Sequence, residues 1–184
     1  MNDQYRQVFE TFPIIETERL KLRSLALSDA ESIYEIRSSR RVNQFIGRPD
    51  MTEKEKAEDL IDKCLVAYKN KKGIAWAGQH KTNGSLIGTC GFNSIDFQNN
   101  RAEIGGEMSV SHWGKNLAIE AMKEIIHFGF DTLKLHAIEA KVSPHNRSAI
   151  YLLEKMHFMK EAHFKDYFYF NNQYHDLAVY TLIR

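Results

Sequence analysis

The feature that most constrains the fold is a strand that runs directly into an amphipathic helix. Residues 100–110, NRAEIGGEMSV, are typical of a strand and include two consecutive glycines, which usually mark a bulge or the close approach of another backbone. Residues 113–130, WGKNLAIEAMKEIIHFGF, then place apolar residues at helical spacing. Because the first turn of a helix leaves backbone N–H groups without partners, this junction predicts a place where an anion can bind.

Two further strands precede this junction. Residues 74–80, IAWAGQH, and residues 86–92, LIGTCGF, are short apolar runs on either side of Asn83-Gly84. An Asn-Gly pair between two such runs is a strong signal for a hairpin turn. Together with residues 100–110, these strands are expected to form a three-stranded meander.

The rest of the chain alternates between the two kinds of element. It predicts, in order, a strand at 19–25, a helix capped by Ser28, a helix opened by a Thr52/Glu55 capping box, a strand at 136–142, a helix from Asn146 to Lys155, and a hairpin turning at Asn171-Asn172. This order indicates a mixed α/β fold of the α+β type, with helices on both faces of a mostly antiparallel sheet of about six to seven strands. We expect one domain over residues 1–184, in which residues 1–16 are an N-terminal extension.

Composition excludes several classes of protein. The 184 residues are 43% hydrophobic and 27% charged, with a formal net charge of +1, which favours an ordinary globular protein and argues against binding to nucleic acid. The chain has no apolar run near the roughly 20 residues that cross a membrane. Cys64 and Cys90 are far apart and predict free thiols in a reducing compartment, so we expect a cytoplasmic protein. The histidines form neither HxxxH nor HExxH, so no metal site is expected.

The junction itself, WGKNLA at residues 113–118, has the chemistry of a phosphate site. The positive end of the helix dipole favours an anion there, Gly114 permits close approach, and Ala118 is small enough to leave the N–H groups accessible. The common nucleotide motifs GxxxxGK(S/T) and GxGxxG are absent from this position. On spacing alone, an ordinary helix start with Lys115 in solvent explains the pattern equally well.

A wider set of motifs, in order along the chain, resembles a known family. These motifs are TERLKLRSL with SDAESIY, then EIGGEMSVSHWGKNLAIEAM, then SPHNRSAIYLLEKMHF, and last the strand that contains YHD. The pattern is similar to that of the GNAT superfamily of acyl-CoA-dependent N-acetyltransferases, and particularly to its ribosomal-protein-alanine N-acetyltransferase branch. The resemblance extends from about residue 17 to residue 183.

The resemblance implies a binding mode for acetyl-CoA, with no metal. In the family, the coenzyme A diphosphate lies on the helix N-terminus, and the pantetheine arm fills a gap where the fourth and fifth strands splay apart. Here those strands are residues 100–110 and 136–142, and a bulge near Gly105-Gly106 would suit the splay. The implied cofactor-binding residues are Met108, Ser109, Val110, Trp113, Gly114, Lys115, Asn116, Leu117, Ala118 and Asn146.

Two positions depart from the family pattern, which usually has glycine at both. Asn116 stands within the phosphate-binding turn, and His157 stands before a phenylalanine near the end of the last helix. Asparagine tolerates the left-handed conformation better than most residues, so we expect the turn to survive. The Asn116 side chain could also reach a phosphate oxygen.

The resemblance also suggests catalytic residues. Glu103, the acid of the EIG element, is the candidate general base, directly or through water, and Glu107 shares its face of the strand. The family's tyrosine acid is replaced by Leu153, so protonation of the thiolate by tyrosine is doubtful. Asn146 is either a helix cap or a ligand for the pantetheine amide, and Ser148 is expected to be a helix-start residue.

The implied function is acetyl transfer from acetyl-CoA to a primary amine, either a protein N-terminus or a small amine. A polyamine acceptor would call for several carboxylates, for which the candidates are Glu53, Glu55, Glu58 and Asp59. The aromatic residues between 167 and 174 either wall an acceptor groove or, as we favour, are plain sheet packing. The alternative function is a catalytically weak acyl-CoA-binding sensor. The sequence leaves open whether the protein forms a homodimer.

Overall fold

A computed structural model describes residues 7–184, and residues 1–6 of the predicted extension lie outside the described range. The strands are β1 (Ile15–Glu16), β2 (Leu20–Ser24), β3 (Ile74–His80), β4 (Leu86–Asp96), β5 (Arg101–Met108), β6 (Ala137–Val142), β7 (Met159–Phe170) and β8 (Gln173–Ile183). The helices are α1 (Ala30–Ser38), α2 (Arg40–Asn43), α3 (Glu55–Lys69), α4 (Leu117–His127) and α5 (Arg147–Lys155).

All eight strands form one sheet in the order β1-β2-β3-β4-β5-β6-β8-β7. The pairs are antiparallel except β5 with β6, which are parallel. The expected mixed, mostly antiparallel sheet is confirmed, with one more strand than the upper prediction. The extra strand is β1, whose two residues are too few to show the period-two pattern of a strand.

Helices cover both faces of the sheet, as expected. On one face, α1 and α3 bury small and branched residues such as Ile33 and Ile61 against Ala77 and Leu86. On the other face, α4 and α5 bury Leu117, Ile125 and Leu153 in the larger core. No helix within residues 7–184 has the length and hydrophobicity required to span a bilayer.

Two predicted helix starts were wrong in detail. A 3-10 turn, Leu27–Asp29, precedes α1, so Ser28 lies inside this turn and does not cap the helix. Asp29, the last residue of the turn, accepts a hydrogen bond from the backbone N–H of Ala26 at 2.9 Å. Helix α3 begins at Glu55 without a side-chain cap, and its N-cap position is held by Lys54 and not by Thr52. The hydroxyl of Thr52 accepts a hydrogen bond from the Lys56 ammonium at 3.1 Å. The Asn83-Gly84 turn and the Asn171-Asn172 turn are where the sequence predicts them.

The described part of the N-terminal extension packs onto the core. Tyr68 donates a hydrogen bond to the carbonyl of Val8 at 2.8 Å, and the buried Trp76 donates one to the carbonyl of Pro13 at 2.7 Å. The Phe12 ring lies 4.8 Å from that of Tyr68. These contacts supply partners for polar atoms of large aromatic side chains, so this segment completes the hydrophobic core.

Candidate functional site

The sheet splits between β5 and β6. Their parallel pairing extends only from Arg101 opposite Ala137 to Glu103 opposite Glu139. Beyond that point β5 stays paired with β4 as far as Met108, and β6 stays paired with β8 as far as Val142. The facing edges of the two strands therefore separate, as the splay between the fourth and fifth predicted strands required.

A cavity of about 330 Å³ fills this split. Its walls are the end of β5, from Ile104 to Met108, and residues 140–143 at and just beyond the end of β6. Small and apolar side chains of α4 and α5 line it on one face of the sheet, among them Ala118, Ala121 and Leu153. Phe45 and Phe168 line it at the other face. The cavity thus passes through the sheet and can bring two ligands together from opposite sides.

The glycine pair of β5 allows close contact with β4. A Cβ added at Gly106 would lie 2.8 Å from the carbonyl oxygen of Thr89, and one at Gly105 would lie 2.6 Å from the side-chain nitrogen of Asn93. The register shift lies next to this pair, between Phe92 and Ser94 of β4, which face Ile104 and Glu103. The expected bulge is therefore on the partner strand, because the glycines are themselves regularly paired.

The start of α4 has the geometry of an anion site. Asn116 is left-handed, with φ 61° and ψ 12°, so the predicted turn survives without glycine. The helix's hydrogen bonds begin with the N–H of Glu120 donating to the carbonyl of Asn116 at 3.1 Å, which leaves the preceding N–H groups at the helix end. Gly114 also has a positive φ, 74°, and open space around its Cα.

A hydrogen-bonded lock holds this helix start in place. Glu120 accepts hydrogen bonds from the hydroxyl of Thr17 and from the backbone and side chain of Arg19, each N–H at 2.7 Å. Burial alone would raise the pKa of Glu120, but these donors lower it below its usual value. Arg19 also donates to the carbonyl of Lys115 at 3.0 Å. The TERL motif and the EA motif are therefore parts of one structural unit.

Positive groups surround the turn. Lys115 is exposed, and Arg41 stacks over the Trp113 ring at 5.5 Å. Burial lowers the pKa of His112, and the nearby charges of Lys115 and His80 lower it further. Trp113 itself is fixed by its indole N–H, which donates to the carbonyl of Met108 at 2.9 Å. The local field favours an anion.

The residues predicted to bind the cofactor are divided between the cavity and its approach. Met108, Ala118 and Asn146 line the cavity. Leu117 is buried in the core at 2% exposure. The others lie in the segment that leads from β5 into α4, and they are Ser109, Val110, Trp113, Gly114, Lys115 and Asn116.

The two glutamates of β5 have different surroundings. Glu103 binds the Lys141 ammonium at 2.7 Å and the Asn93 amide at 3.2 Å, and it is Lys141 that lines the cavity. Glu107 lines the cavity itself, with only 5% of its side chain exposed. It binds Arg37 at 2.5 Å through one oxygen and Arg48 through the other.

Sequence reasoning missed this second arrangement. The period-two pattern places Glu107 on the face of Glu103, but Arg37 and Arg48 are 70 and 59 residues away. The sequence carries no local signal for such partners.

The helix α5 region confirms several details. Asn146 is the N-cap, since its side-chain oxygen accepts a hydrogen bond from the N–H of Ala149 at 3.1 Å, and it also lines the cavity. Leu153 faces the cavity, whereas Tyr151 is 60% exposed and does not line it. His157 adopts a left-handed conformation, with φ 64°.

Two other groups matter to the cavity. Cys90 lines it, and burial raises the pKa of its thiol to about 12, so the thiol is neutral at ordinary pH. Phe168 both lines the cavity and stacks on His175 at 5.2 Å. Phe168 therefore packs across the two strands, as sheet packing predicts, and also lines the cavity.

The candidate polyamine ligands lie elsewhere. Glu53, Glu55, Glu58 and Asp59 are at the start of α3 and just before it, and the cavity wall includes none of these four carboxylates. Within residues 7–184 there is also no cluster of three or more metal-ligating His, Cys, Asp or Glu side chains.

Comparisons with known proteins agree with this geometry. The family model "Acetyltransferase (GNAT) domain" matches residues 19–159. The uncharacterized N-acetyltransferase YoaA of Bacillus subtilis is 36% identical, over 94% of this chain and 98% of its own length. A GNAT-family acetyltransferase structure from Bacillus anthracis is 24% identical, with a TM-score of 0.83 over 93% of this chain and 98% of that one. The acetyltransferase RimL, solved in complex with coenzyme A, is 19% identical, with the same TM-score and the same two coverages.

Proposed function

Because this chain is an N-acetyltransferase of the GNAT family, we propose that it transfers the acetyl group of acetyl-CoA to a primary amine by direct attack on the thioester. The observation that carries this proposal is the split sheet. Only a ligand that enters between β5 and β6 can reach both the anion site of α4 and the opposite face.

The donor is placed by backbone groups. The N–H groups between Trp113 and Ala118 would hold the diphosphate, assisted by the positive surroundings of Lys115. The pantetheine arm would lie along the free edge of β5 through Met108 to Val110, as an added strand does. Asn146 could donate from its amide nitrogen, because its oxygen already caps α5. RimL binds coenzyme A by its own description, which supports this assignment.

The chemistry then follows from the two sides of the cavity. A neutral amine attacks the carbonyl carbon, the N–C bond forms, and the oxyanion is stabilised by N–H groups of β5. The C–S bond breaks, the amine loses a proton to a base, and the thiolate of coenzyme A takes up a proton. We propose Glu103 as the base, acting through water because Lys141 stands between it and the cavity. The reaction uses no metal ion.

The reaction is assigned to the cytoplasm. Cys64 and Cys90 are both free thiols in the structure, which suits a reducing compartment.

Two measurements test this proposal. Calorimetry with acetyl-CoA should show binding, and release of thiol in the presence of amines should show turnover. Glu103→Gln should lower kcat/KM about 100-fold, because the amide cannot accept the proton. Glu107→Gln is the matched variant on the same strand face, and a larger loss there would transfer the role of base to Glu107. Tight binding without turnover on any amine would favour the alternative, an acyl-CoA sensor.

A further inference from the structure

The ion pairs next to the acceptor side of the cavity contain more cations than carboxylates. Arg37, Arg48 and Lys141 stand against Glu103 and Glu107, which gives this group a net charge of +1. The pair of Arg40 and Asp50 lies further out and adds one charge of each sign. This excess is a feature of the site that an amine acceptor by itself does not explain.

Both carboxylates are already paired with cations. Each oxygen of Glu107 binds a different guanidinium, and Glu103 binds Lys141 and Asn93. An acceptor with a second or third ammonium group would therefore find no unpaired carboxylate at this cavity. Bringing extra positive charge beside Arg37 and Arg48 would cost Coulomb energy that is poorly screened inside a protein.

Both arginines have side-chain N–H donors that remain available to a ligand. Within residues 7–184, the hydrogen bonds of the Arg37 side chain involve only its Nε, which leaves both terminal nitrogens for another partner. Arg48 uses Nε on Asn43 and one terminal nitrogen on Glu107. Burial lowers the pKa of Arg48, and the charge of Arg37 lowers it too, although Glu107 acts in the opposite direction. The cluster would gain from a second anion.

We infer that the acceptor is a primary amine that also carries an anionic group, a carboxylate or a phosphate, and that Arg37 and Arg48 bind this group. Planar guanidinium groups bind both anions in bidentate fashion. Glu107 is part of the cavity wall, and both arginines are hydrogen-bonded to it from behind that wall. Phe45 and Phe168 would enclose the body of the acceptor between this anion and its amine.

This inference rests on the proposed function and leaves its reaction unchanged. The acceptor nitrogen still forms the N–C bond, the C–S bond still breaks, and one proton passes from the amine while one is taken up by the thiolate. The anion only binds and orients the acceptor. Its effect should thus appear chiefly in KM for the amine.

Matched acceptors test the inference directly. Thiol release from acetyl-CoA would be measured with 2-aminoethyl phosphate, β-alanine, their neutral counterparts ethanolamine and β-alaninamide, and spermidine. We expect kcat/KM at least 10-fold higher for an anionic amine than for its neutral counterpart, and the lowest value for spermidine. The better of the two anions identifies carboxylate or phosphate.

Variants then locate the effect. Arg37→Gln should reduce the preference for the anionic amine at least 10-fold, and Arg37→Lys should restore part of it. Arg40→Gln, on a side chain that is 95% exposed, is the control and should leave the preference unchanged. The comparison of acceptors needs only the natural chain, so it stands even if an Arg37 variant does not fold.

The outcomes separate the two proposals. If neutral amines or spermidine react as well as the anionic ones, the inference is overturned while the acetyltransferase function stands. If acetyl-CoA neither binds nor releases thiol with any amine, the proposed function itself fails.

Discussion

The two sides of the cavity offer a ligand different kinds of groups, backbone on one side and side chains on the other. On the proposed donor side, the polar groups offered to a ligand are mainly backbone groups, namely the N–H groups at the start of α4 and the free edge of β5. On the acceptor side they are side chains, and Phe45, Glu107 and Phe168 come from three distant parts of the chain. A backbone site can be shared by many sequences, whereas a side-chain site is specific to one. This contrast suggests a constant donor and a variable acceptor.

The largest expected effect comes from blocking the donor side. Ala118 lines the cavity in the first turn of α4, so Ala118→Phe should place a ring where the donor enters. We expect at least a 100-fold loss of acetyl-CoA affinity by calorimetry, which corresponds to about 3 kcal/mol.

Lys123→Phe is the control for this variant, because Lys123 lies on the same helix in an exposed position. It should bind acetyl-CoA normally. Normal binding by Ala118→Phe as well would show that the donor does not pass this helix.

An intermediate effect should come from the lock that holds the donor side. Glu120→Ala leaves the donors of Thr17 and Arg19 without their carboxylate. We expect a loss of about 2–3 kcal/mol in the free energy of unfolding, measured with denaturant. Glu120→Gln, which keeps an acceptor oxygen, should lose less.

The lock also has a pH dependence with a definite sign. The pKa of Glu120 is lower in the folded chain than its usual value, so its stabilising contribution is present above the unfolded pKa of about 4.3. That contribution is lost as the pH falls through the folded pKa. Stability below about pH 4 should therefore decline less steeply in Glu120→Gln than in the natural chain, and equal slopes would contradict this.

The smallest effect is expected at Asn116, where a variant tests whether backbone groups alone bind the donor. Asn116→Gly keeps the left-handed turn and removes the side chain, so acetyl-CoA affinity should change by less than about threefold. Asn116→Val should instead cost about 1–2 kcal/mol of stability, because a branched residue is strained at φ 61°. A tenfold loss of affinity in Asn116→Gly would mean that the amide side chain binds phosphate.

Much of the fold could be predicted because its signals are local. The Asn83-Gly84 hairpin, the helical spacing after Gly114 and the cap at Asn146 each depend on residues within a few positions of one another. The left-handed turn at Asn116 was predicted for the same reason. The capping box predicted at Thr52 was wrong because the helix begins later, with Lys54 at the N-cap position.

In the candidate site, too, the residues with local sequence signals were predicted and those that depend on distant partners were not. Met108, Ala118 and Asn146 were predicted and do line the cavity. The sequence predicted only that Glu107 shares a strand face with Glu103. No nearby residue indicates that Arg37 and Arg48 bind it. Phe168 also lines the cavity, next to a register shift between β7 and β8 that a period-two pattern does not predict.

The sequence by itself determined the elements and the phosphate-type turn, because periodicity, caps and turn residues act over short distances, while the split in the sheet was implied by the family resemblance. Only the tertiary structure decided which charges surround the acceptor side. Ion pairs such as that of Arg37 with Glu107 form between residues 70 positions apart, and their energies depend on burial and geometry that exist only in the folded chain.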